Sequence, residues 1–220
     1  MSEATPGLRS ERVLRVRTAR WALLLAFAAL VASTQVLWLS LAPVTTRAPA
    51  ALGASEGAIG DLAVVNPVLY VLLAIPAGRW LDRRFGLALS TGAALTAVGA
   101  LLRAVNPESY GWVLAGQVVL SVGQPLVLNA TTKVAARWFP ATERTRAISV
   151  GTGAQFLGIL IAATTAGALM DAGGLPLLLG VHAALATTGA LALVVALAVV
   201  PPAFAPDAGP APSLRWLRHD

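Results

Sequence analysis

Long apolar runs separated by short charged stretches dominate the chain. Nothing is charged between Arg20 and Arg47, and Trp21 to Pro43 reads as a first span. A second span runs from Gly57 to Gly78, with Asp61 near its start, and a third lies between Arg84 and Arg103. A fourth falls within Tyr110 to Thr132, a fifth runs from Ala147 to Met170, and a sixth from Pro176 to Val200. Each is close to the ~20 residues that cross ~30 Å of hydrocarbon. No run alternates with period two, which argues against a transmembrane barrel. The pattern predicts an all-α membrane protein of six transmembrane helices. Residues 1–20 form a basic N-terminal segment, 21–200 the helical domain and 201–220 a Pro/Ala-rich tail.

The first span is longer than the apolar core of a signal peptide, and Ala42 to Thr46 makes a poor cleavage site, so a retained helix is expected. Pro201 to Pro212 is too rich in Pro to continue the sixth helix. Trp216, flanked by Arg215 and Arg218, suits the headgroup layer.

Charge fixes the expected orientation. With the N-terminus inside, the inner segments hold Arg9, Arg12, Arg15, Arg17 and Arg20, then Arg79, Arg83 and Arg84, then Lys133, Arg137, Arg144 and Arg146, and finally Arg215 and Arg218. Of the 16 basic residues only Arg47 and Arg103 fall outside. That bias predicts both termini in the cytoplasm and a multi-pass protein of the cell membrane.

Composition removes other classes. Hydrophobic residues make up 57% of the chain and charged ones 12%. That is about half the charged share of an average soluble domain, too little to coat a water-soluble globule. The net charge of +6 belongs to membrane topology. A nucleic-acid site would need a basic face on a soluble domain, which no segment provides. Without Cys there is no thiolate or disulfide chemistry. Two His make no metal site, and there is no phosphate-cradling Gly-Lys loop, carboxylate pair or Ser/His/Asp set. Neither an enzyme nor a cofactor is expected.

Two inner loops carry a more specific signal. The first is Gly78-Arg79-Trp80-Leu81-Asp82-Arg83-Arg84-Phe85-Gly86. A short turn at the membrane face favours Gly, and an acid among cations near helix ends can pair or cap. The second is Ala136-Arg137-Trp138-Phe139-Pro140, continuing through Glu143-Arg144-Thr145-Arg146-Ala147. Pro140 disfavours continuing the fourth helix, and Trp138 suits the interface. These loops resemble those between helices two and three and between helices four and five of the major facilitator superfamily. In the first, Gly86 comes one residue late and Leu87-Ala88 replaces the usual basic pair. The resemblance covers about residues 20 to 200, one six-helix half of a transporter that usually has two. It implies conformational roles for Gly78, Asp82, Arg83, Gly86, Arg137, Glu143 and Arg144.

Within the superfamily, Leu114-Ala115-Gly116-Gln117, Ser121-Val122-Gly123-Gln124-Pro125, the helix-four exit Lys133 to Phe139 and Ala154-Gln155-Phe156-Leu157-Gly158 resemble the feline leukaemia virus subgroup C receptor-related branch. Its members handle choline, ethanolamine or haem-related cargo. The branch's helix-one aromatic falls at Val36 here, with Trp38 two residues later.

In the resembled fold, helices one, two, four and five line a central cavity. Gln35, Asn66, Gln124, Asn129 and Gln155 lie at membrane depth in those helices, where an amide needs a neighbouring helix or a wet cavity. Trp38 and Tyr70 can offer ring faces to a cation. Together these are the candidate substrate-binding residues; the amides would otherwise act as interhelical glue, and Trp38 and Tyr70 as interfacial anchors. Asn66-Pro67 and Pro76 are expected to interrupt the second helix. Gly151, Gly153 and Gly158 allow close packing of the fifth, and His182 reads as a packing residue near the outer end of the sixth. No Asp, Glu, Lys or Arg other than Asp61 is expected away from the span ends, so no proton relay is evident.

The implied function is alternating-access transport of a small organic solute. A lone half would leave its polar face in lipid, which predicts a homodimer or a second six-helix half as partner. The competing readings are a non-transporting membrane scaffold or regulatory subunit, and a fragment of a twelve-helix transporter.

Overall fold

In hydrocarbon every backbone N–H and C=O must be bonded within its own segment, so the long apolar runs have little choice but helix. The computed structural model describes residues 6–204, with side-chain surroundings from Arg17 onward. The helices are α1 (Pro6–Leu39), α2 (Ala48–Leu52), α3 (Glu56–Arg83), α4 (Phe85–Val105), α5 (Tyr110–Leu128), α6 (Thr131–Trp138) and α7 (Ala141–Val199), with one 3-10 turn at Ala42–Val44. There is no strand among the described residues. The expectations for Arg9, Arg12, Arg15, Arg215, Trp216, Arg218 and most of the tail lie outside the region so described.

Five helices are long and apolar enough to cross a membrane. The last has 59 residues, which at 1.5 Å each would span nearly three bilayer cores. It bends instead at Gly173 and Gly174, where Gly174 takes φ 65°, a left-handed backbone that glycine adopts without strain. Both arms return to the same stretch of α1: Gly158 lies against Ala32, and Gly189 against Leu30. The five apolar helices thus supply the six apolar segments read from the sequence.

Several local expectations change. α3 runs unbroken through Pro67 and Pro76, because neighbouring helices can re-satisfy the carbonyls that proline leaves without a donor. The first basic turn is not made by glycine: Gly78 and Gly86 are both helical, and the chain reverses at Arg84 alone (φ −141°, ψ 63°). The fourth segment tightens at Asn129–Ala130, both still right-handed helical in backbone, and continues as α6 to the Pro140 corner. At that corner Phe139 turns extended and α7 begins directly after Pro140. Gly153 faces open space, whereas Gly151 and Gly158 pack closely against neighbouring helices.

The tightest seam joins α4 and α5. A Cβ on Gly99 would sit 2.6 Å from the Gly116 carbonyl, and one on Gly123 would sit 2.9 Å from the Gly92 carbonyl. Two glycines per helix, seven residues apart, bring the backbones together where dispersion rather than hydrophobicity drives association. Phe27, Leu81, Phe85, Trp138 and Phe139 fill one end of the bundle, and Leu41, Val44, Ile59, Leu175 and Leu178 fill the other. The described start of α1 and end of α7 share the first end: Trp21 packs on Phe139, and the Ala203 and Phe204 N–H groups donate to the Arg137 carbonyl. An Arg47–Asp171 ion pair closes the opposite end.

Arg103 departs most from expectation. It was read as an outer flank, but it is only 1% exposed. One guanidinium nitrogen donates to the Leu37 carbonyl at 2.8 Å, and another to the Ser40 hydroxyl. The Leu37 carbonyl, in the last turn of α1, also accepts from the Ser40 hydroxyl at 3.0 Å, and the cation folds inward to complete that helix end. His182 is buried, as a packing residue should be, yet neither ring nitrogen has a hydrogen-bond partner among the described residues.

Candidate functional site

Six of the seven residues singled out for substrate contact surround one cavity. Gln35, Trp38, Asn66, Tyr70, Gln124 and Gln155, with Pro67, Val71 and Leu128, enclose about 330 Å³ between α1, α3, α5 and the first arm of α7. Asn129 is the exception. Its carbonyl oxygen accepts from the Tyr70 hydroxyl at 2.7 Å, and its amide nitrogen donates to the Ala74 carbonyl at 3.0 Å. It braces α5 against α3 and sets the position of the Tyr70 ring from behind.

Local chemistry explains how the wall is held. Pro67 has no N–H, so the Ala63 carbonyl four residues earlier loses its helical donor. The Trp38 indole N–H donates to that oxygen at 2.8 Å. One contact therefore satisfies the proline-freed carbonyl, ties α1 to α3 and fixes the indole beside the cavity. Val36, where the resembled branch has its aromatic, is fully buried and does not line the space.

The amides differ in their partners. Gln35 donates to the Thr34 hydroxyl at 3.2 Å. Asn66 is 1% exposed, and its carbonyl oxygen has no partner among the described residues. Gln124 is buried and Gln155 half-buried on adjoining walls. No charged residue lines the cavity. What it offers is amide dipoles and two aromatic rings in an apolar setting, which suits a small solute with one polar or cationic group.

The residues of the two basic loops meet at the end shared by α1 and α7. Asp82 at the end of α3 pairs with Lys133 on α6. Arg20 reaches both carboxylate oxygens of Glu143, at 3.0 and 2.9 Å, and also lies over the Phe139 ring. Arg144 donates to the Phe139 and Ala136 carbonyls. Arg137 stacks over Phe85 with its guanidinium carbon 4.6 Å from the ring centre. Arg83 is exposed, and Gly78 and Gly86 have open space where a side chain would project. Neither Lys133 nor Arg20 was among the residues expected to have conformational roles; nothing in their spacing identifies their acidic partners, 51 and 123 residues away.

Comparison with known proteins follows the same lines. The human choline/ethanolamine transporter FLVCR2 is 30% identical over 153 residues, covering 68% of this chain and 29% of that protein. The rat FLVCR2 is 29% identical over 157 residues, 70% of this chain and 29% of that protein. Solute carrier family 49 member A3 of Xenopus tropicalis is 30% identical over 158 residues, 65% of this chain and 32% of that protein. The matches thus span about a third of these relatives' length. Residues 18–217 match the Major Facilitator Superfamily, and with its apolar helices the chain belongs to that superfamily as a multi-pass membrane protein.

Proposed function

We propose that this six-helix unit carries a small organic amine across the cell membrane by alternating access, working against a second six-helix body. The supporting observation is the convergence of Gln35, Trp38, Asn66, Tyr70, Gln124 and Gln155 on one open cavity. Its volume falls within the ~300 to 1,000 Å³ range of small-molecule sites. Ring faces and amide oxygens without a fixed negative charge favour a weakly hydrated ammonium group. The relatives named for choline and ethanolamine point to the same class.

The second body is motivated by what surrounds the cavity. Val71, Leu72 and Ile75 on α3 and Phe156, Leu157 and Leu160 on α7 are all more than half exposed beside it. A matching half, either another copy or a separate unit, would cover this face and close the cavity. With both termini in the cytoplasm, the Asp82–Lys133 and Arg20–Glu143 pairs, with Gly78, Arg83, Gly86, Arg137 and Arg144, lie where rocking of the two bodies opens and closes the inner side.

Reconstitution in proteoliposomes with labelled choline and ethanolamine tests this. The unaltered chain should give saturable flux, and Gln124→Ala and Gln155→Ala should each weaken amine binding about tenfold, the scale of one lost hydrogen bond. Absence of amine flux, or unchanged binding in both variants, would refute the substrate assignment. Flux from a particle sized in nanodiscs as a single copy would refute the paired body.

A further inference from the structure

A second cavity lies at the basic end, on the side of the bundle away from the amide-lined site and sharing no residue with it. It measures about 480 Å³ and is walled by Arg84, Phe85 and Gly86 at the start of α4, Arg137 and Trp138 at the end of α6, and Leu197 and Pro202 at the end of α7, with Leu87 completing it. Its floor is rigid. Phe85 and Trp138 are buried with ring centres 5.8 Å apart, and the Trp138 indole N–H donates to the Val200 carbonyl at 3.1 Å.

Two features make it more than a surface dent. Neither Arg84 nor Arg137 has a carboxylate within ion-pair distance among the described residues. Asp82 is engaged by Lys133 and Glu143 by Arg20. Among the described residues, two guanidiniums without a carboxylate partner thus stand at one opening, one of them stacked on Phe85. Guanidinium forks match phosphate oxygens better than any other side chain does. The surroundings are also greasy. Leu87 is 55% exposed at the rim, and α4 and the second arm of α7 continue away from it as exposed apolar surface through Val98, Leu101, Leu191 and Val195.

We propose that this cavity holds the phosphate headgroup of an anionic phospholipid, with Arg84 and Arg137 on the phosphate and the acyl chains lying along α4 and the second arm of α7. The occupant is a lipid rather than a free anion because the charged opening is continuous with the exposed apolar surface of a membrane-spanning bundle.

Native mass spectrometry of the full chain, purified in detergent and titrated with phosphatidylglycerol or with phosphatidylcholine of the same acyl chains, reads this directly. The unaltered chain should retain one phosphatidylglycerol in preference to phosphatidylcholine. The double variant Arg84→Gln/Arg137→Gln should retain it about tenfold less well, given the contribution of each basic residue to anionic-lipid attachment. Gly86→Leu keeps both cations and adds bulk at a residue that lines the cavity, where a Cβ meets no atom within 4 Å, and should lose retention as well. The control Arg79→Gln/Arg83→Gln removes the same charge from exposed positions that do not line the cavity, and retention of the one bound lipid should exceed that of the Arg84→Gln/Arg137→Gln variant. Equal retention of the two lipids, equal losses in both double variants, or full retention by Gly86→Leu would overturn the proposal. Displacement of the lipid by millimolar inorganic phosphate would also overturn it, by making the site one for a free anion.

Discussion

Two seams of this bundle are built on opposite principles. Between α4 and α5 the backbones touch through Gly92, Gly99, Gly116 and Gly123. Between α1, α3, α5 and the first arm of α7 the helices are held apart by amides and rings around open space. Where backbones meet, sterics dictate the residue and any side chain forces the helices apart. Where they do not, the residues answer to hydrogen bonding and to what the space contains. The same kind of helix thus yields a rigid spine on one side and an adaptable wall on the other. Substitutions should sort accordingly, into those that cost stability and those that cost binding.

The largest effect is expected at the closed seam. Gly99→Leu would drive a side chain into the Gly116 carbonyl and Leu120, and overpacking of this kind costs about 3 kcal/mol or more. Thermal unfolding in detergent should show a lowered midpoint and reduced recovery of monodisperse protein. Gly153→Leu makes the same chemical change on α7 where nothing lies within 4 Å, and should unfold close to the unaltered chain. Equal losses in the two variants would mean that the glycine seam is not what holds α4 to α5.

A middle-sized effect is expected at Arg103. Arg103→Ala would leave a void and remove the guanidinium from the Leu37 carbonyl and the Ser40 hydroxyl at the end of α1, a loss of about 2 to 4 kcal/mol. Arg103→Lys keeps the charge but lacks the fork needed to reach two acceptors, so it should fall between. If both variants unfolded with the unaltered chain, the buried cation would not be bracing α1.

Arg103 also marks where sequence reading stops. Two residues short of the end of α4 and just before Asn106-Pro107, it has every local mark of an outer flank. Its inward turn depends on acceptors at the end of α1, the Leu37 carbonyl 66 residues earlier and the Ser40 hydroxyl, and hydropathy carries no sign of them. The six apolar segments were legible because each obeys a constraint local to itself: enough apolar length, bounded by charge. The convergence of Gln35, Asn66, Gln124 and Gln155 was implied by the family resemblance, because an amide at membrane depth could as well have been interhelical glue. Asn129 met the same criterion and still fell outside the cavity, because the Tyr70 hydroxyl and the Ala74 carbonyl saturate it. Pro67 misled in the opposite direction. Read alone it predicts a break, and only the facing Trp38 shows why the helix continues past it.

That pairing gives the smallest effect and the sharpest test of how the open wall is built. Trp38→Phe keeps an aromatic ring at the cavity but removes the N–H that serves the Ala63 carbonyl, at a cost of about 1 kcal/mol. Pro67→Ala restores a backbone donor to that same carbonyl from within α3. In the Pro67→Ala background the indole is then one donor among two, and Trp38→Phe should cost about half as much or less. A double-mutant cycle on unfolding free energies measures this coupling without reference to transport. Additive losses would mean that Trp38 is held by packing alone, and that a proline in α3 does not shape the cavity wall through the carbonyl it frees.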